Sequence, residues 1–268
     1  MTRAHGGVLS VWAHPDDEAI CAAGTLALCA QRGEPVRVIC ATRGERGPIA
    51  HPTLATRRTL GSVRERELRA ACAALGVCPP ELLGLPDGEV AHAPLRPALL
   101  TLVSRIRSQR PRVLLGFGAD GLYGHDDHIA LAQLVVAARS AAADPAFATP
   151  GLHAYHVPRH FFAVWTGQLV RDLLAACARA APRGQLWHLT PEHFVLCEGD
   201  VSARVDVRSV LSQKLRAIRA HRTQLADDHV FRVLEDAAAH RLLGVECFRC
   251  ADRLDGDPVS AALQGGQA

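Results

Sequence analysis

The chain has 268 residues, 49% of them hydrophobic and 21% charged, enough for one large core and typical of a soluble globular protein. Its net charge is +3, with arginines scattered and Lys214 the single lysine, which excludes a basic nucleic-acid stripe. No stretch approaches the ~18 apolar residues of a membrane span, and MTRAHGG leads into only about six apolar residues, so neither a span nor a signal peptide is expected. The nine cysteines are odd in number and mostly sit in apolar segments, which points to reduced thiols and a cytoplasmic location. Cys247-Phe-Arg-Cys250 is a lone CxxC and a weak metal signal.

Val8–Ala13 reads as a first strand, followed by a helix over Ala19–Gln31 with Gly33 at its end. Val36–Ala41 is a second strand. Ser62 and Glu65 have capping-box spacing, which predicts a helix from there through Ala74, with Gly76 as its stop. Glu81–Leu85 is a short strand, Leu95–Ser108 an amphipathic helix, Val113–Phe117 a strand and Ile129–Ala142 an alanine-rich helix. Ala141–Pro158 carries three prolines and reads as a loop or lid, expected with Trp165 and Trp187 to shape an outer pocket. Phe161–Trp165 and Phe194–Cys197 read as strands and Val207–Ala220 as a helix, with the last ~20 residues loosely ordered. Strands alternating with helices imply a Rossmann-like α/β fold. Its sheet is mostly parallel with helices on both faces, and its C-terminal part irregular. A single domain over 1–268 is expected, because the second half has too few strands to close its own core.

Two clusters carry the chemistry. His14-Pro15-Asp16-Asp17-Glu18 follows the first strand directly. Gly118–His128, ending Gly124-His125-Asp126-Asp127-His128, follows the strand at Val113–Phe117. In an open α/β sheet both loops open at the carboxyl edge, where ligands bind. Like charges packed this closely repel, and a bound cation removes the penalty. One such His–Asp pair is ordinarily a helix cap with a solvated neighbour; two, each after a strand, predict a metal site.

Ala13-His14-Pro15-Asp16-Asp17-Glu18 and Gly124-His125-x-Asp127-His128 resemble the two signatures of the PIG-L/LmbE-like N-acetylglucosaminyl deacetylase family. The similarity runs from about residue 8 to about 225. Arg64-x-x-Glu67, Leu85-Pro86-Asp87-Gly88 and Lys214-x-x-Ala217-x-x-x-His221-x-Thr223-Gln224 are weaker matches, and Asp126 stands where Pro is frequent. The resemblance implies a zinc hydrolase that removes the N-acetyl group from an N-acetylglucosamine-type conjugate. It implies zinc ligands His14, Asp17 and His128, Asp16 as general base, and His125 beside the oxyanion. Asp127 is implied to orient a histidine from behind the ligands, with Arg64 and Asp87 contacting sugar hydroxyls. The residues alone leave Arg64 open to an intrahelical pair with Glu67, Asp87 to a turn role, and His221 to packing or substrate contact.

The expected partner is a small amino-sugar substrate, with no nucleic acid and no membrane; the oligomeric state, a homo-oligomer included, is left open. The alternatives are an amidase of the same class acting on a thiol conjugate or lipid-linked sugar, and Fe2+ in place of Zn2+. A non-haem iron oxygenase shares two His and a carboxylate, but its usual β-barrel does not match the βα pattern. A sugar- or nucleotide-binding module would lack the base or an open metal position, and no G-x-G-x-x-G follows the first strand.

Overall fold

The computed structural model describes residues 6–178 and 185–251. β1, Val8–Trp12, is buried at all five positions. A strand covered on both faces has no polar side to show, which is why it reads as a continuous apolar run. Next come α1 (Asp17–Cys21), α2 (Ala23–Gln31), β2 (Val36–Cys40), α3 (Leu60–Leu75) and β3 (Glu81–Leu82). α4 (Leu95–Gln109), β4 (Val113–Gly116), the distorted turn α5 (Gly121–Gly124), α6 (Asp126–Ala143) and β5 (Arg159–Val164) complete the parallel part. α7 (Gly167–Cys177), β6 (Ala203–Asp206), α8 (Leu211–Ala220), α9 (Val230–Val233), α10 (Asp236–Leu242) and β7 (Val245–Cys250) follow.

One seven-stranded sheet has the order β3-β2-β1-β4-β5-β7-β6. β3, β2, β1, β4 and β5 pair in parallel, and β7 runs antiparallel to both β5 and β6. α2, α3 and α8 pack together, and α4 packs against α6. Right-handed crossovers put these two groups on opposite faces, as expected from the sequence. The chain leaves β1 towards β2 on one side and enters β4 on the other, so a crevice opens at their carboxyl ends.

Several details differ from the sequence reading. The helix expected over Ala19–Gln31 starts at Asp17 and is broken at Ala22, whose φ of −147° interrupts it. α3 begins at Leu60, and Ser62 lies within it; Glu65 is drawn instead to Arg43 and Arg69. Phe194–Cys197 forms no strand, since its backbone finds no ladder and Val195 is 72% exposed. The segment before β5 is no lid. The Arg107 guanidinium, at the end of α4, donates to the carbonyls of Ala141, Ala142, Asp144 and Phe147, and Tyr155 Oη donates to Pro111 O. These bonds tie the loop to the amino edge of the sheet, away from the crevice. β6 and β7 were not foreseen. Cys247 and Cys250 lie three apart on β7 and so point to opposite faces, which rules them out as one chelating pair. The last residues, read as loosely ordered, lie outside the described range.

Candidate active site

His14, Asp16 and Asp17 stand just beyond β1, and His125, Asp127 and His128 follow β4 through α5. The two loops meet at the crevice. His14 Nδ1 lies 3.1 Å from His128 Nε2 and 3.6 Å from Asp17 Oδ2, and His128 Nε2 lies 3.5 Å from Asp17 Oδ2. These three atoms face one another.

The surrounding hydrogen bonds assign what each atom presents. His128 Nδ1 donates to Gly121 O at 3.1 Å, leaving a lone pair on Nε2, and the Phe117 ring stacks on its face at 3.9 Å. His14 Nε2 donates towards Asp127 Oδ2 and Asp87 Oδ1, each at 3.1 Å, which directs its Nδ1 inward. Asp127 is held by the amides of Gly88 (2.7 Å) and Val90 (3.0 Å), so it is fixed before it meets His14.

Two imidazole nitrogens and a carboxylate oxygen therefore converge with no neutral donor among them. Donors at about 2.0–2.2 Å from a tetrahedral ion stand about 3.3–3.6 Å apart; the two sides to Asp17 match this, and the His14–His128 side is slightly shorter, so the triangle is close to that of a zinc-sized cation. Without a cation only a proton can relieve it. Burial disfavours a charged His14 ring, but the hydrogen bonds to Asp127 and Asp87 and the charge of Asp17 outweigh it and push its pKa up to about 10. Burial raises the Asp17 carboxyl and lowers the His128 imidazole, whose neutral form is the ligating one. His14 also lies in two wider groupings, with His125 and His128 and with Asp87 and Asp127. In the second, both carboxylates address its outer nitrogen.

Asp16 stays out of this triangle. Its backbone has φ 125°, a region costly for a residue with a Cβ, and its Oδ2 sits 3.1 Å from the Arg64 guanidinium. Burial raises its carboxyl pKa, opposed by the charges of Arg64, His221 and His14. Arg64 is buried and donates also to Pro15 O (2.6 Å) and Gly44 O (2.9 Å), with no bond to Glu67. Gly44 and Gly47 make room for it, because a Cβ on either would fall 2.2–2.4 Å from its NH1. His125 caps α6, its Nδ1 accepting from the Asp127 amide at 3.2 Å. The hydrogen is thereby left on Nε2. Burial and the His14 charge lower its pKa.

Asp87 Oδ2 accepts from the Arg46 amide at 2.6 Å. Burial opposes its ionisation, but His14 and that amide hold its pKa down to about 2. The matches near residues 214–224 act as latches. Lys214 pairs with Glu246 (2.8 Å), His221 with Glu18 (2.8 Å), Thr223 Oγ1 donates to Glu67 (2.6 Å), and Gln224 Nε2 donates to Pro48 O (3.0 Å).

All of His14, Asp16, Asp17, Arg64, Asp87 and His125 line one cavity of about 500 Å3, while Asp127 and His128 are buried and do not line it. Trp165 and Trp187 line it as expected. Tyr123, Phe194 and His229, given no role from the sequence, line it too. Only Tyr123, inside the second cluster, carried a signal that singled it out. Arg46 reaches the cavity, whereas Arg43 pairs outside with Glu65.

A mostly parallel sheet with this donor set at its switch point is the frame of an α/β enzyme with a candidate metal site. The model of the PIG-L family, described as GlcNAc-PI de-N-acetylase, matches residues 9–139. The 1D-myo-inositol 2-acetamido-2-deoxy-alpha-D-glucopyranoside deacetylase of Thermobispora bispora is 34% identical, covering 96% of this chain and 92% of its own. Two solved structures share the fold. The 4-carboxy-2-hydroxymuconate hydratase of Pseudomonas putida has a TM-score of 0.68 at 21% identity, covering 95% of this chain and all of its own. The N,N'-diacetylchitobiose deacetylase of Pyrococcus horikoshii has a TM-score of 0.65 at 23% identity, covering 91% of this chain and 83% of its own. The chain belongs to the PIG-L family and is a hydrolase of its metal-dependent N-deacetylase class. The hydratase shows that the fold alone does not choose the reaction.

Proposed function

We propose that the protein is a zinc-dependent deacetylase that releases acetate from an N-acetylglucosamine residue joined to myo-inositol. The observation that carries this reading is the convergence of His14 Nδ1, His128 Nε2 and Asp17 Oδ2 beside a carboxylate, Asp16, left outside their triangle. The name of the Thermobispora bispora relative supplies the aglycone.

In this reading His14, Asp17 and His128 hold the zinc, whose chemistry is that of a Lewis acid towards the amide carbonyl and water. Asp16 takes the proton of the attacking water. A carboxyl with a raised pKa suits a base working near neutrality. His125 presents Nε2–H to the oxygen that gains charge. The C–N bond then breaks, the amine leaves with the proton that Asp16 took from the water, and acetate remains. Asp127 orients His14 from behind. Asp87 keeps a lone pair on each oxygen for a sugar hydroxyl. Arg64, already bound to three protein acceptors, acts on the substrate chiefly by setting Asp16. The cavity runs past Tyr123 to Phe194, Trp165 and Trp187, giving room beyond one sugar ring.

N- and C-terminal elements share one sheet, which supports a single domain. No helix among the described residues is long and apolar enough to cross a membrane. No disulfide joins cysteines among the described residues, in keeping with a reducing cytoplasm.

The test is acetate release from the N-acetylglucosaminyl inositol by metal-stripped protein reloaded with Zn2+ or, anaerobically, Fe2+. Turnover with zinc supports the proposal, and turnover with iron alone replaces the metal. Inactivity on this conjugate with both metals overturns the assignment.

A further inference from the structure

Behind Asp16 lies a buried pair that none of these roles uses. Glu18 is 0% exposed and His221 1%. Glu18 Oε1 lies 2.8 Å from His221 Nε2, and its Oε2 accepts the amide hydrogen of Asp16 at 3.1 Å. Arg64 binds the carbonyl oxygen of Pro15. Pro15 C=O and Asp16 N–H belong to one peptide group, so that group is gripped at both ends, by Arg64 at its oxygen and by Glu18 at its hydrogen.

The grip has something to resist. Asp16 holds φ 125° without being glycine, a strained conformation that persists only where the surroundings impose it. Rotation of this peptide would swing the Asp16 side chain away from the metal triangle. Glu18 alone is a poor clamp. A carboxylate with no solvent contact needs an opposite charge or a donor on its second oxygen, or it neutralises and turns. His221 supplies that partner from the end of α8, 203 residues along the chain.

We infer that Glu18 and His221 are positioning residues for the reaction: they lock the Pro15–Asp16 peptide and thereby aim the Asp16 carboxylate. The inference rests on reading Asp16 as the base. The pair touches neither substrate nor metal, so its loss changes the aim of the base while ligand and sugar contacts stay intact. Burial works against a charged His221, but the charge and hydrogen bond of Glu18 hold its pKa up, consistent with an ion pair.

The test uses the full-length, zinc-loaded protein and the variants His221→Ala, His221→Gln, Glu18→Gln and the double variant Glu18→Gln/His221→Ala. Gln places an N–H donor where Nε2 stood. His221→Ala and Glu18→Gln should each lower kcat roughly 10- to 100-fold, the scale of a misaimed catalytic group, with KM within about twofold and zinc content unchanged. His221→Gln should recover kcat to within about fivefold, and the double variant should fall no lower than the worse single one. Independently of turnover, exchange of the Asp16 amide hydrogen should speed up at least about tenfold in His221→Ala and stay slow in His221→Gln. If His221→Ala does not fold, the contrast between His221→Gln and Glu18→Gln carries the test. A rise in KM alone, losses that add, no rescue by Gln, or Asp16 exchange as slow in His221→Ala as in wild type would overturn the inference. Asp16 exchange that depends on His221, in a protein inactive on the inositol conjugate, would overturn the proposed substrate and leave the lock standing.

Discussion

Arg64 NH2 lies 3.1 Å from Asp16 Oδ2 and 2.6 Å from Pro15 O, so one buried guanidinium holds both the Asp16 carboxylate and the peptide that leads into it. A lysine offers one point charge where this geometry uses a fork. Arg64→Lys should therefore lower kcat by roughly 10- to 100-fold, the scale of a misplaced base, and Arg64→Met by more. Zinc content, measured alongside the kinetics, should stay near one per chain in both. Loss of the metal with the guanidinium would mean that Arg64 supports the ligands themselves.

Metal binding should release protons. His14 without a cation has its pKa pushed up to about 10, and the ring must give up that proton to ligate. At pH 7–8 the protonated form dominates, so apparent zinc affinity rises with pH through this range and falls as pH drops. Calorimetric titration with zinc in two buffers of different ionisation enthalpy should give about one proton released per zinc, or more. No proton release would remove His14 from the ligand set.

The only lysine forms a buried pair with Glu246, which also accepts the amides of Gly24 and Thr25 at 2.8 Å each. Lys214→Met leaves a buried carboxylate without its cation and should cost about 3–5 kcal/mol in urea denaturation. Replacing both partners, Lys214→Met with Glu246→Leu, should cost less than Lys214→Met alone, tempered by the two amides that lose their acceptor. A loss for Lys214→Met under about 1 kcal/mol would contradict a buried ion pair.

His229 lines the cavity wall against Trp187, and burial holds its pKa down to about 4. Its folded value lies below the unfolded one, so the unfolded chain binds the extra proton first. Stability is then unaffected above about pH 6.5 and falls between there and about pH 4, by up to about 3 kcal/mol. His229→Phe should show a shallower loss of stability over that window in denaturation at stepped pH. Identical slopes for the two proteins would contradict a neutral buried ring.

The parallel half of the fold was legible because burial on both faces leaves its strands continuously apolar, as in Val8–Trp12 and Val113–Gly116. β6 and β7 escaped because they lie towards the other edge, where exposed Arg204 and Asp206 alternate with buried residues over only four positions. β7 alternates in the same way, and its two cysteines read locally as a CxxC. Phe194–Cys197 misled in the opposite direction: its apolar residues serve the cavity, through Phe194, and the surface, through Val195. The donor set was legible because it comes in two local clusters, each directly after a strand. Dividing the clusters into ligand, base and support needed the family resemblance. The Glu18–His221 contact joins residues 203 apart, and nothing local in either segment signals it.

In the proposed reaction Asp16 is the base and stands outside the ligand set. The most direct measurement is zinc stoichiometry and acetate release from the N-acetylglucosaminyl inositol on the same preparation of Asp16→Asn. One zinc per chain is expected, as in wild type, with kcat lowered by about 10²–10⁴. Turnover near the wild-type rate, or a variant that no longer holds zinc, would contradict it.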